Sequence, residues 1–256
     1  TRTTFAASGN NSNGKNWVSP NGTAIQGIAV NISKDGNPMY LWGLELGFSM
    51  VELAKAQQVG RPLDRDKHAG LQLKHQMDTD EMVYIGDASL GKTGLTNNPD
   101  IPPANVSAAW TSATPPEQML DDVNGLVEQA WNQSGYAVCP SDIRLAPESF
   151  SKLLKPVSAA GSKSILQYIK EECLSNSING RQPSIMPLKW LRGRGIGGKN
   201  RAMAYTKNER FVRFPLVPLQ HTPLEHRGLY QLTTYFGTLG VVEFVYPETV
   251  AYADGM

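Results

Sequence analysis

Net charge, cysteine and long apolar runs are all scarce in this chain of 256 residues. Lys and Arg number 24 against 23 Asp and Glu, a formal net charge of +1. No global field therefore recruits nucleic acid or an acidic membrane surface, and tight, salt-sensitive DNA binding is disfavoured. The only two cysteines, Cys139 and Cys173, form no C-x-x-C pair. With no secretory signal upstream of them, both are expected as buried free thiols. No apolar run approaches the roughly 20 residues that cross a bilayer, so a soluble chain with no membrane partner is expected. The four histidines offer no H-E-x-x-H. Pro223 separates His221 from His226, and Asp64, His68 and His75 form too wide a ladder to converge on one ion, so no metal site is nominated. There is no G-x-S-x-G elbow and no cysteine nucleophile signature, so no catalytic residue is nominated and no cofactor is implied. Repeated strand-helix-strand alternation, the usual scaffold of a nucleotide enzyme, is also missing.

What is present includes a false lead. Gly86 to Thr93, GDASLGKT, matches the phosphate-loop pattern G-x-x-x-x-G-K-[ST] and follows a strand-like Met82 to Ile85. Such a loop works only if a helix begins at its Lys-Thr and aims unpaired N–H groups at the anion. Here Gly94-Leu95-Thr96-Asn97-Asn98-Pro99 and Pro102-Pro103 follow, and they interrupt any helix. A nucleotide hydrolase is thus the lesser reading of a glycine-rich turn. Gly193 to Asn200 nearly repeats the pattern but leads into a strand. It reads as a flexible basic loop in which Arg192, Arg194, Lys199 and Arg201 are solvated or meet a neighbouring acidic surface.

The remaining pattern is α+β. Thr1 to Asn16 is polar and reads as an arm. Thr1 in place of Met implies cleavage or trimming. Apolar runs at Ile25 to Ile32 and Met39 to Trp42 flank the turn Lys34-Asp35-Gly36-Asn37-Pro38, which suggests a long hairpin too thin to stand alone. A capping box at Ser49 to Glu52 opens a helix that Gly60-Arg61-Pro62 stops. Asp64 caps a longer, polar helix reaching about Thr79. A second capping box, Thr114 to Glu117, opens an amphipathic helix with Met119, Leu120, Val123, Leu126, Val127, Ala130 and Trp131 on one face and Gly135 at its end. A strand at Ile143 to Leu145 and helices at Pro147 to Leu154 and Ser162 to Leu174 follow, the last with Cys173 on its apolar face. Strands are expected at Ser184 to Met186, Met203 to Tyr205 and Phe211 to Phe214. Two more, Leu229 to Phe236 and Val241 to Tyr246, are expected as a hairpin joined by Gly237 to Gly240.

The order of hairpin, capped helix, Gly-Arg-Pro-Leu-Asp break, polar helix, Val83-Tyr84-Ile85-Gly86-Asp87 and Gly94 to Asn97 resembles the shell proteins of tailed bacteriophages and the related encapsulins. Ser134 to Pro140, Val212 to Gln220 and Gly240 to Thr249 complete a likeness to phage major capsid proteins from about Trp17 to Met256. That resemblance implies a capsid fold. Its parts would be an N-terminal arm (1–16), an extended loop (17–42), a peripheral domain with a long spine helix (43–114 and 211–256) and an axial domain (115–210). It also implies a structural protein rather than an enzyme, self-assembling into pentamers and hexamers of an icosahedral shell around double-stranded DNA. The virion would be assembled in the host cytoplasm, with decoration, portal and scaffolding proteins as further partners. An encapsulin-type shell around protein cargo is the alternative. Lys34, Asp35 and Asn37 on the extended loop, and Arg192, Arg194, Lys199 and Arg201 on the basic loop, are the residues expected at subunit interfaces.

Overall fold

A computed structural model describes residues 2–7, 28–33, 37–59, 63–105, 109–158, 161 and 163–256. In chain order the elements begin with β1 (Arg2–Ala7), β2 (Ile28–Ser33), β3 (Tyr40–Ser49), α1 (Met50–Val59), α2 (Leu63–Tyr84), β4 (Ala104–Asn105) and α3 (Pro116–Gln133). Then come β5 (Asp142–Leu145), α4 (Pro147–Leu153), α5 (Ile165–Glu172), α6 (Leu174–Asn179), β6 (Ser184–Pro187) and β7 (Arg201–Tyr205). The chain closes with β8 (Val212–Arg213), β9 (Leu216–His221), β10 (Glu225–Arg227), β11 (Tyr230–Leu239), β12 (Glu243–Phe244) and β13 (Ala251–Asp254). The class is α+β.

Residues 1–38 form one compact unit, in which β1 pairs antiparallel with β2, Arg2 opposite Ser33 and Ala7 opposite Ile28. The expected arm thus contributes a strand, consistent with the β-forming Thr-Thr-Phe at its start. The expected pairing of the two runs of a 17–42 hairpin is not what forms: β2 has β1 as its partner, and β3 pairs elsewhere. Residues 8–27 and the tip at 34–36 lie outside the described residues, as does the break at 60–62.

Residues 39–256 form the second unit. Its first sheet has β11 at the centre, antiparallel to β3 along its whole length, from Tyr230 opposite Ser49 to Leu239 opposite Tyr40. Strands β9 and β10 share the other edge of β11. The expected Gly237 to Gly240 hairpin is therefore absent. Gly237 and Thr238 continue β11 past a bulge, while β12 pairs with β8. Along the sheet lies α2, whose 22 residues span about 33 Å at 1.5 Å per residue. Trp42 Nε1 donates to Asp78 Oδ2 (2.9 Å), and the Trp42 and His75 rings meet edge-on at 4.8 Å. His68 lies against Tyr235, and Lys67 over Phe48. Lys67 also bonds Glu52 Oε2 (2.9 Å), which holds the Glu52 carboxyl below its usual range.

The helix outruns its expected end at Thr79 and includes Met82, Val83 and Tyr84, which the sequence suggested as a strand. Short apolar runs fit either period. Leu71 and Met82, three turns apart, are both buried, which fixes the helical choice.

The second sheet has five strands in the order β4-β13-β7-β5-β6. On it packs α3, burying Met119, Val123, Leu126, Val127 and Ala130 as the 3.6-residue period required. The Thr114 capping box does not form. Pro115 is the N-cap, and the Thr114 hydroxyl instead accepts from the Thr111 N–H. Both cysteines are buried and free. Cys173, however, is not on a helical face: with φ −66° and ψ 144° it is the joint between α5 and α6. Burial raises both thiols above their usual range, which suits packing rather than reactivity. The strands of 211–256 divide between the sheets, since β9 to β11 join β3 whereas β13 sits between β4 and β7. The polar end of α2 is fastened to the second sheet's side through Asp80, which accepts from Trp190 Nε1 (2.7 Å) and pairs with Lys189 (2.9 Å).

Candidate assembly surfaces

The Gly86 to Thr93 turn is built to close a helix, and it leads into no new one. Leu95 and Thr96 N–H donate to the Val83 and Tyr84 carbonyls (2.8 and 3.0 Å), so the chain folds straight back onto the last turn of α2. Asn97 Nδ2 donates to the Ile85 carbonyl (2.9 Å) and its Oδ1 accepts the Gly94 N–H (2.7 Å). Gly86 has φ +78°, and a Cβ there would lie 2.3 Å from the Lys92 carbonyl oxygen. Gly86 serves this close approach, and Gly91 supplies a positive φ of +62° with open space around it. Asp87 Oδ1 accepts both the Ser89 hydroxyl (2.6 Å) and the Ser89 N–H (2.8 Å), which keeps its carboxyl below the usual range. The turn thus meets the negative, carbonyl end of a helix and carries a carboxylate at its start, the reverse of a phosphate site.

The second glycine-rich turn does hold an anion, but the anion is the chain's own Asp254. Its carboxylate is fully buried and takes the Ile196 N–H (2.9 Å), Arg201 Nε (2.7 Å) and Arg201 Nη2 (3.0 Å). A Cβ at Gly195 would stand 2.9 Å from Asp254 Cγ, so glycine is needed for this contact. Arg201 Nη1 also donates to the Thr96 carbonyl (3.0 Å), and its guanidinium lies 5.0 Å from the Tyr252 ring centre. Arg201 is therefore not part of an exposed basic loop. It is the buried anchor of that loop, a correction forced by its alternation into the all-buried strand β7. Nor is the loop without internal bonds: Gly195 N–H donates to the Lys199 carbonyl (2.7 Å) and Gly193 N–H to Asn200 Oδ1 (3.1 Å). Arg192 pairs within the chain, with Glu148 (2.8 Å). Arg194 and Lys199 are exposed, and among the described residues neither has a carboxylate partner.

On the extended loop, Lys34 and Asp35 lie outside the described residues and Asn37 is exposed. A larger surface escaped the sequence reading. Directly opposed residues of an antiparallel pair point to the same side. Trp42 and Tyr235 face α2, so Leu41, Thr238, Phe236, Leu232 and Tyr230 face away from it, joined by Val217 on β9. On that side Leu41 is 77% exposed and Tyr230 55%. In YLWGLELGFS the α2-facing set Tyr40, Trp42, Leu44, Leu46 and Phe48 is apolar throughout, whereas the other set mixes Leu41 with Gly43, Glu45, Gly47 and Ser49, so the sequence alternation alone pointed to a solvated side there. Among the described residues no group of His, Cys, Asp and Glu could hold a metal ion, and no helix is long and apolar enough to cross a membrane.

The model of the family described as major capsid protein matches residues 14–256. The chain belongs to the major capsid protein family. The capsid of the myovirus phage XM1 is similar over 99% of this chain and 84% of its own, with 16% identity and a TM-score of 0.73. A virus-like particle from Pyrococcus furiosus aligns over 99% and 87% at 13% identity and TM-score 0.54. The holo encapsulin complex from Synechococcus elongatus aligns over 90% and 78% at 11% identity and TM-score 0.53. At these identities the likeness shows the fold, the phage capsid fold. Among curated proteins none matches by sequence. This major capsid protein is a structural component of a capsid shell, and both glycine-rich turns are accounted for without nucleotide chemistry.

Proposed function

We propose that this capsid protein assembles with itself into pentamers and hexamers that close an icosahedral phage head around double-stranded DNA. The virion is then its destination and the host cytoplasm its place of assembly. Portal, scaffolding and decoration proteins would be its partners. The observation that carries the reading is the sheet of β3, β9, β10 and β11. Its side away from α2 exposes Leu41, Val217 and Tyr230, and Leu224 just before β10 and Leu229 in the β10–β11 turn are 53% and 63% exposed. Exposed apolar residues on one sheet face, here set among Glu45, Gln220, Glu225 and Arg227, mark a protein–protein contact, and closed shells supply such contacts at every subunit. In this reading that sheet and α2 belong to the peripheral domain (43–114 and 211–256) and α3 to α6 to the axial domain (115–210), with β4 and β13 crossing into the five-stranded sheet, and the extended loop (17–42), whose last residues enter β3, reaches a neighbour. A net charge near zero lets DNA pack without adhering to the wall.

The test is to purify particles from cells expressing the chain with its phage partners and assay their nucleic acid after nuclease treatment. Protected double-stranded DNA is expected. Shells that hold protein cargo and no DNA would move the protein to the encapsulin type.

A further inference from the structure

Beside the C-terminal end of α2 lies a cleft of about 570 Å³, lined by Tyr40, Leu41, Trp42, Glu81, Asp87 and Leu90 among others. Its character is both apolar and acidic. Leu41 is 77% and Leu90 40% exposed on the rim, and the described lining carries Asp78, Glu81 and Asp87 with no Lys or Arg. Asp78 is held by Lys74 and by the Trp42 indole, and Asp87 by Ser89. Glu81 is exposed and has no cation within ion-pair distance among the described residues. The carbonyl end of α2 adds its partial negative charge to the same place.

The turn from Gly193 to Lys199 has the opposite character. Ile196 stands 61% exposed, between Arg194 and Lys199, neither of which has a carboxylate partner among the described residues. The turn is held rigid from within by the Ile196 N–H bond to Asp254, the Gly195 N–H bond to Lys199 and the Gly193 N–H bond to Asn200. A preorganised projection loses little conformational freedom when it is captured.

We propose that in the assembled protein the Arg194–Ile196–Lys199 turn of one copy seats in the Glu81–Asp87 cleft of the next copy. Ile196 lies against Leu90, and Arg194 or Lys199 meets Glu81. The contact is head-to-tail, with two different surfaces of the same chain, as a ring of subunits demands. It rests on the shell reading above and adds to it which surfaces meet. Both charges are desolvated only on docking, so each free surface stays soluble and mismatched pairings are penalised.

Charge reversal tests it. Glu81→Arg and Arg194→Glu are made singly and together, with particle yield read by sedimentation and electron microscopy and the subunit fold by circular dichroism. Each single variant should fold normally and lower the yield of closed particles about tenfold or more, because a like-charge contact across an interface is strongly unfavourable. The double variant restores opposite charges and should recover most of the yield. Salt provides a second readout, since 1 M NaCl should loosen wild-type particles more than those of the Glu81→Gln, Arg194→Gln double variant. Single variants that assemble at the wild-type yield, or a double variant no better than the worse single, overturn the contact while leaving the shell reading in place. A wild-type chain that forms no shell in any condition overturns both.

Discussion

Replacing Arg201 by Met separates a buried anchor from a surface basic residue. Met keeps much of the aliphatic length but removes the hydrogen bonds to Asp254 Oδ1, Asp254 Oδ2 and the Thr96 carbonyl. Asp254 has no exposed side-chain surface, so water cannot replace the guanidinium, and only the Ile196 N–H remains to it. Stranding one member of a buried pair costs about 3–5 kcal/mol. With a urea slope of about 3 kcal/mol per molar for a chain this long, the unfolding midpoint of the unassembled subunit should fall by about 1–1.7 M. Arg201→Lys, which keeps the charge without the two-pronged geometry, should fall between the two. Arg201→Met with Asp254→Leu should recover only part of the loss, because the Ile196 N–H and the Thr96 carbonyl then lose their partner. Tryptophan fluorescence over a urea titration reads all three. A midpoint for Arg201→Met within about 0.3 M of wild type would refute the argument that this pair fixes the Gly193–Asn200 turn.

Lys92→Ala should leave assembly unchanged, and the wild-type chain should show no ATP binding by calorimetry. Micromolar, Lys92-dependent affinity would contradict the assignment of Gly86 to Thr93 as a helix-closing turn. Leu41→Glu should leave the subunit melting temperature within a few degrees of wild type yet suppress particles, because the residue is exposed in the subunit and buried only by a neighbour. Deleting residues 34–38 should spare the subunit fold and impair shell closure, which particle yield and stability would show. Asp122 has its carboxyl pushed up by burial, against the opposing hydrogen bond from Trp110 Nε1 (2.7 Å), so the folded state binds that proton more tightly than the unfolded chain. Its charged form therefore costs stability above the unfolded pKa, fully so above the folded one, and not below both. Asp122→Asn, which can still accept from Trp110, should raise the melting temperature at pH 7 and leave it unchanged at pH 3.

The sequence is most legible where one period dominates. The buried stripe of α3 was readable because its apolar residues recur at helical spacing over more than three turns, and β5, β6 and β7 as short runs bounded by turn residues. The long-range partnerships were not readable. Nothing local tells β3 that its partner is β11, nearly 190 residues on, rather than β2 just upstream, since hairpin logic favours the nearer run. The end of α2 was misread because Met82-Val83-Tyr84 fits a strand by composition, and only the burial of Met82 and the fold-back of Leu95 and Thr96 onto the Val83 and Tyr84 carbonyls decide for helix. Arg201 was misread for the same kind of reason. Its carboxylate partner lies 53 residues away at Asp254, so a basic residue after a glycine run looked solvated. The Gly193 to Asn200 pattern was read as a flexible basic loop, and that it cradles the carboxylate of Asp254 is a tertiary fact.

A cryo-electron microscopy map of particles assembled from the wild-type chain tests the central claim most directly. Closed shells are expected in which a neighbouring subunit covers the Leu41, Val217 and Tyr230 side of the sheet and α2 remains laid across its other side. A chain that stays monomeric at high concentration, or shells that leave that apolar face open to solvent, would contradict the account.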